Sequence, residues 1–345
     1  MQYDKINAND CTGGTHMPVT LKDIAKKTGV SVSTVSRVLS GDKAISVQTQ
    51  QTVRKAAKKM GYRVNTVARS LKMNRTYTVG FVCPEITNEF FMKIAKGVEQ
   101  ELKQSGYSVI ICTSNENVED EARSLRILRE KCVDGMIIIP CSNEGMHIKE
   151  LCGDSCPVVL ADRLVDDFKT DAVLVNNEAA SFDLVDGLIK KGKKRIAFLG
   201  GNELITSAKE RFSGYLKALK ENNIAVEPEL IRFGDFYLQS GYDIMKDFCE
   251  MKNPPKEFFI SNYFMQVGAE RYLQEYQKNK EDELTIVGFD NMDASPLFRF
   301  TERTAVQPMV AIGTEAARLL HRRIEGDKEA FPLISRFDVD WNVND

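Results

Sequence analysis

The sequence is short of the residues from which most enzyme centres are built. It holds three histidines, His16, His147 and His321, and none of them stands in a motif with metal-ligand spacing. Its eight cysteines include no C-x-x-C pair, so they read as reduced core or surface thiols of a cytoplasmic protein. The patterns G-x-x-x-x-G-K-[ST], H-E-x-x-H, G-x-G-x-x-G and G-x-S-x-G are all absent, and Gly200-Gly201-Asn202 is too short a glycine signal for a phosphate cradle. No catalytic residue, no metal and no cofactor are expected. Carboxylates alone leave a glycosidase open, but that reading gives the basic segment described below no role. Long apolar runs are also lacking. Stretches such as 136–139 fall far short of a membrane crossing, and 1–17 is polar with no signal-peptide core, so no membrane partner is expected. What remains is a chain of 345 residues, enough for two or three domains and for a core that needs no disulfides.

The net charge of −2 conceals a division. Between Thr20 and Lys72 stand twelve lysines and arginines against Asp23 and Asp42, a net of +10, so the rest of the chain carries −12. Such segregation suggests a polyanion-binding head on an acidic body; a solvated lysine-rich face is the plainer alternative. Within the head, Leu21, Ile24 and Ala25 recur at helical spacing behind a Thr20-x-x-Asp23 capping pattern, which predicts a helix over 21–28 that stops at Gly29. Ser31 can cap a second helix running to Leu39, and a third should begin at Thr49 or Gln50 and last to Met60. Three short helices with a tight turn at Gly29-Val30 make a helix-turn-helix unit, whose second helix enters the major groove. Ser33, Thr34 and Arg37 then fall on its exposed face, with Val32 at the tip. Their hydroxyls suit base edges or phosphates, the Arg37 fork suits guanine or phosphate, and Val32 suits a thymine methyl. Thr34 and Ser36 read equally as ordinary helix-surface residues.

The ordered run Val19-Thr20-Leu21-Lys22-Asp23-Ile24-Ala25, then Gly29 to Leu39, then Gly61-Tyr62-Arg63-Val64-Asn65 and Ala68-Arg69-Ser70-Leu71, resembles the lactose-repressor (LacI/GalR) family of bacterial transcription regulators. That resemblance implies a DNA-contacting set of Thr20, Ser31, Val32, Ser33, Thr34, Ser36, Arg37, Asn65, Ala68, Leu71 and Lys72. Asn65 to Lys72 would form a hinge helix on the operator, Leu71 wedging into the minor groove beside Ala68. Family members usually carry proline where Val64 stands, so this hinge begins on a less rigid residue.

After Tyr77 short apolar strands alternate with amphipathic stretches. Strands are expected at 78–83, 107–113, 134–139, 157–161, 172–175, 195–199, 257–261 and 284–289. Helices are expected within 91–104, 119–131, 178–190, 210–221 and 264–276. The fold class is therefore α/β: a three-helix helix-turn-helix head and hinge helix, then two open parallel sheets flanked by helices. Such sheets bind small molecules at the carboxyl ends of their strands. The resemblance adds that they form two subdomains of the periplasmic-binding-protein type, the chain crossing near Val175, Arg303 and Pro332. The expected division is a tail, native or an expression leader (1–18), a DNA-binding domain (19–64), a hinge and linker (65–76) and an effector-binding and dimerisation domain (77–343). Its first subdomain would be 77–174 with 304–331, and its second 175–303 with 332–343.

Strand ends supply Asn88, Phe90, Phe91, Asp162, Arg163, Asn262 and Asp290 as candidate effector contacts. Phe90 and Phe91 offer flat faces, while Asp290 can accept two bonds from adjacent hydroxyls, as a polyol requires. Most have a plainer reading: the two phenylalanines as core, Arg163 paired with Asp162 or Asp166, Asn262 satisfying a loop, Asp290 capping a turn. The resemblance alone adds Arg211 and Phe236, and notes Tyr263 where the family often has aspartate. It implies a cytoplasmic homodimer that binds operator double-stranded DNA under control of a small effector, a sugar or sugar derivative. The alternative is a carbohydrate-binding sensor acting through a protein partner.

Overall fold

The computed structural model describes residues 19–39, 41–42, 44–62, 75–277, 283–290, 292 and 295–343. The chain divides into two units, the first ending at Asn74 and the second beginning at Arg75.

In the first unit α1 (Leu21–Thr28), α2 (Val32–Leu39) and α3 (Val47–Lys59) surround one small core. Thr20 and Asp23 close the capping box at the start of α1, where the Thr20 N–H donates to the Asp23 carboxylate at 2.8 Å. Gly29 ends the helix in the left-handed region at φ 71°, a conformation glycine adopts without a side-chain clash. α3 begins two residues earlier than expected because Ser46 caps it, accepting from the Thr49 N–H. Ile24, Ala25, Val35, Val38, Val53 and Ala57 are the buried residues. Every one of them lies on the inward stripe of its helix, so the lysines stay in water.

The second unit contains, in chain order, β1 (Thr78–Cys83), α4 (Glu89–Gln104), β2 (Ser108–Thr113), α5 (Val118–Glu130), β3 (Gly135–Ile138), α6 (Met146–Cys152), β4 (Val158–Ala161) and β5 (Asp171–Val175). There follow α7 (Asn177–Lys190), β6 (Ile196–Gly200), α8 (Thr206–Glu221), β7 (Ile231–Phe233), α9 (Leu238–Cys249), β8 (Glu257–Ile260), α10 (Tyr263–Tyr276), β9 (Thr285–Phe289), β10 (Thr301–Val306), α11 (Met309–Ile324), β11 (Ile334–Phe337) and β12 (Asp340–Val343). Two six-stranded sheets result, ordered β11-β5-β4-β3-β1-β2 and β12-β10-β9-β8-β6-β7. All pairings are parallel except β10 with β12. Because helices cover both faces, the central strands are apolar on both sides. Val79 and Phe81 of β1 face α4 and α11, while Val82, the next residue along, faces α5.

Two expected boundaries shift. Thr301–Val306 is a strand of the second sheet, so the chain crosses after Val306 rather than at Arg303. Ile334–Phe337 pairs with β5 in the first sheet, so the final crossing falls between Phe337 and Asp340 rather than at Pro332. The edge of β5 holds this segment through its main chain and through Asp171, which accepts from the Leu333 N–H at 2.7 Å. Thus 304–306 leaves the expected first subdomain, and 334–337 leaves the expected second. The last strand is also antiparallel, where parallel sheets were expected. The lobes are clasped by side chains and main chain: the Leu164 main chain exchanges hydrogen bonds with the Thr206 hydroxyl at 3.2 and 3.1 Å, and Arg336 donates to Glu210 at 2.6 Å.

Candidate functional site

The exposed rim of α2 collects the residues expected there. Ser31, Val32, Ser33 and Arg37 are exposed, and Thr34 and Ser36 are half-buried. Val35 and Val38 between them anchor the helix to the core, which leaves the rim no other orientation. The hydroxyls of Ser31, Ser33 and Thr34 form a local cluster, Ser31 sharing hydrogen bonds with Ser33 at 2.7 Å and Thr34 at 2.8 Å. Arg37 uses its Nε on Asp42 at 2.7 Å, a surface pair the sequence reading did not anticipate. Asp42 sits in the turn after α2 and is itself fixed by the Ala44 N–H. Thr20 is exposed, with its hydroxyl committed to Asp23. Asn65, Ala68, Leu71 and Lys72, and with them the expected hinge helix, lie outside the described residues.

In the second unit the carboxyl ends of both sheets open onto one cleft of about 330 Å³. Asn88, Phe90, Phe91, Asp162, Arg163, Arg211, Phe236, Asn262 and Asp290 all line it. Local structural roles accompany the cleft position, and for Asn262 the role is a helix cap where a loop contact was the plainer expectation. Asn88 and Asn262 are helix caps, their amide oxygens accepting from Phe90 N–H at 3.0 Å and Met265 N–H at 3.1 Å. Phe90 and Phe91 belong to the first sheet's core. Tyr263, the residue that departs from the family pattern, is likewise buried in that core although it begins a helix of the second lobe, so it fills the wall where the lobes meet.

Asp162, Phe236 and Asp290 have φ of 64°, 71° and 71°. Non-glycine residues rarely adopt this left-handed region, and here each turns the chain sharply at or near the cleft. Arg163 is 4% exposed and forms a two-pronged bond to Glu116, both prongs at 2.9 Å, with a third bond to the Pro140 carbonyl at 3.0 Å. Its plane lies 5.9 Å from the Phe91 ring and 5.6 Å from Phe236. Asp162 is 3.5 Å from its Nε; Asp166, the other expected partner, instead accepts from Asn143. Arg211 donates to Asn177 at 2.8 Å and to the Ser261 carbonyl at 2.7 Å while lying 4.0 Å over Phe289. Asp290 accepts from the Gln307 amide at 2.9 and 3.2 Å. Burial pushes the Asp290 carboxyl up to about 6, against the pull of Arg211 and Gln307. Burial raises Asp162 as well, opposed by Arg163, and lowers Arg211, opposed by Asp290.

Among polar lining residues the sequence reading missed Glu85, Thr87, Glu116, Ser207, Tyr237 and Gln307. Gln307 directly follows the carboxyl end of β10, so the rule that selected Asp290 would have reached it had β10 been read as a strand; Glu116 lies three residues beyond β2, in a turn. No cluster of three or more metal-ligating side chains occurs among the described residues.

A three-helix head followed by two parallel sheets around a polar cleft defines a class: DNA-binding transcriptional regulators with an effector-binding core. Two family profiles match in that order, "Bacterial regulatory proteins, lacI family" over 20–65 and "Periplasmic binding proteins and sugar binding domain of LacI family" over 76–335. The chain belongs to the LacI family, whose members are regulators and not enzymes. Catabolite control protein A of Priestia megaterium is 35% identical over 306 residues, covering 88% of this chain and 92% of that protein. The lac repressor dimer bound to operator and the anti-inducer ONPF superposes with a TM-score of 0.83 at 24% identity, covering 95% of this chain and 98% of that one. A complex of the regulator CelR with cellobiose gives 0.71 at 25% identity, covering 94% and 98%. Among the described residues no helix is long and apolar enough to cross a membrane.

Proposed function

We propose that this regulator acts in the cytoplasm as a homodimeric repressor whose operator affinity is set by a sugar or sugar derivative in the cleft. Ser31, Val32, Ser33, Thr34, Ser36 and Arg37 meet the operator, with Thr20 beside its backbone and Asn65, Ala68, Leu71 and Lys72 in the central minor groove. Two-fold symmetry pairs the heads with two half-sites, and the doubled phosphate contacts make binding fall steeply with salt. The observation that carries the effector reading is the convergence of Asn88, Asp162, Arg211, Asn262 and Asp290, drawn from both lobes, on a single cleft. These groups donate to and accept from hydroxyls, and Phe91 and Phe236 supply the flat apolar faces that a sugar ring also needs. The descriptions of the lac repressor and CelR complexes agree in kind.

The effector acts by differential affinity for two lobe arrangements, since a ligand shifts an equilibrium only by that difference. Its coupling runs through the contacts that tie the lobes together, Arg336–Glu210 beside the last crossing and Leu164–Thr206 between loops of the two lobes. A panel of sugars added to the full-length protein on an operator fragment tests the proposal. At least one member is expected to change operator affinity by about 5- to 150-fold, and the sign of the change separates induction from corepression. A protein that binds the fragment no better than random duplex contradicts it.

A further inference from the structure

The charge within the cleft is unbalanced. Its described lining carries four carboxyl groups, Glu85, Glu116, Asp162 and Asp290, against two guanidiniums, Arg163 and Arg211. Both guanidiniums are already engaged inside the protein. Arg163 spends its two terminal nitrogens on Glu116, and Arg211 spends Nε and one terminal nitrogen on Asn177 and Ser261. A phosphate or carboxylate binds tightly where an uncompensated, forked cation awaits it. Here it would enter a low-dielectric site of net negative charge, or it would have to displace Glu116 and strand that carboxylate beside it.

The hydrogen-bonding inventory favours another kind of ligand. Two buried polar atoms on the lining make no hydrogen bond: the Arg163 Nε donor, which has the Asp162 carboxylate at 3.5 Å as an ion-pair partner only, and the Gln307 Oε1 acceptor. A hydroxyl satisfies either, whereas a carboxylate or a fully ionised phosphate monoester group has no proton for Gln307. Hydroxyls also donate to the carboxylates that would repel an anion.

We infer that the cleft selects an effector bearing hydroxyls and no negative charge, and that Glu116 determines this specificity by occupying the Arg163 fork. The inference rests on the cleft being the effector site. It excludes sugar phosphates and sugar acids, which the wider reading of a sugar derivative admits.

Calorimetric titration of the full-length protein with inorganic phosphate, glucose 6-phosphate and fructose 1-phosphate tests it. The wild type is expected to bind none of them in the cleft. Glu116→Gln keeps the side-chain shape but frees the Arg163 fork, and is expected to bind at least one of the three about tenfold or more tighter than the wild type. Arg211→Gln locates any wild-type binding. Anion binding that this variant abolishes lies in the cleft and overturns the inference; binding that it leaves intact lies elsewhere, at the basic head, and agrees with the inference. Glu116→Gln that folds and gains no anion affinity overturns the role given to Glu116. Should that variant fail to fold, the wild-type titrations with their Arg211→Gln control still decide. A sugar phosphate that occupies the cleft and alters operator affinity overturns this inference and leaves the proposed repressor standing; failure to bind operator does the reverse.

Discussion

Asp290 shows what a buried carboxyl in the cleft costs the protein that carries it. Its carboxyl titrates near 6 in the folded chain, above an ordinary aspartate, because burial disfavours the charge more than Arg211 and Gln307 restore it. At acid pH both folded and unfolded forms are protonated. As pH climbs from about 4 to about 6 the unfolded form releases its proton first, so this residue's contribution to stability falls through that window and stays low above it. Asp290→Asn, which retains an oxygen for the Gln307 amide, is therefore expected to raise the stability of the ligand-free protein by roughly 1–3 kcal/mol at neutral pH. The gain should shrink towards pH 4, as urea unfolding at several pH values would reveal. A destabilised variant at neutral pH would mean that the charge is held by more than it loses to burial. At this scale the site was largely legible, since strand-end position and hydroxyl chemistry suffice to select Asp162, Asn262 and Asp290. Glu116 was not, because nothing in Asn115-Glu116-Asn117 announces that a glutamate in a turn will reach a guanidinium 47 residues away.

Helix packing sets the second scale. α4 and α11 meet backbone to backbone, and two glycines allow it. A Cβ on Gly97 would collide with the Val310 carbonyl oxygen, and one on Gly313 with that of Ile94. Backbone cannot swing aside as a side-chain tip can, so the helices would have to separate along their length. Gly97→Ala and Gly313→Ala should each destabilise the protein by about 1–3 kcal/mol or more. The double variant should cost less than the sum, because the first separation already makes room for the second methyl. Thermal or urea unfolding of the three variants checks this, and strict additivity would contradict the shared contact. The elements themselves were legible where apolar periodicity was strong: α1 and β1 begin and end where expected. The short edges were not. β11 alternates exposed and half-buried residues and β12 is exposed at all but Asn342, so neither presents the apolar run by which a central strand is recognised. β10, Thr-Glu-Arg-Thr-Ala-Val, hides its membership behind four polar residues, two of which are buried. The crossings depend on these strands, which is why their positions were displaced by a few residues at Val306 and Phe337.

For the whole molecule the governing quantity is the segregation of charge, +10 in 20–72 against −12 elsewhere. The basic segment is drawn to any nucleic acid, and the acidic remainder keeps the rest of the chain from adhering to it, so charge alone gives no discrimination; in the proposed function that falls to the rim of α2 and its neighbours. Both the division and its meaning were open to sequence reading, because charge needs no fold to be counted and the helix-turn-helix pattern is local. The central claim is that this segment reads sequence and does not merely hold phosphates. The direct measurement is the affinity of the full-length protein for its operator fragment and for a shuffled duplex of equal length, each across a series of salt concentrations. The account predicts operator binding roughly a thousandfold or more tighter than shuffled binding at physiological salt, with both falling as salt rises. Equal affinities at every salt concentration would contradict it.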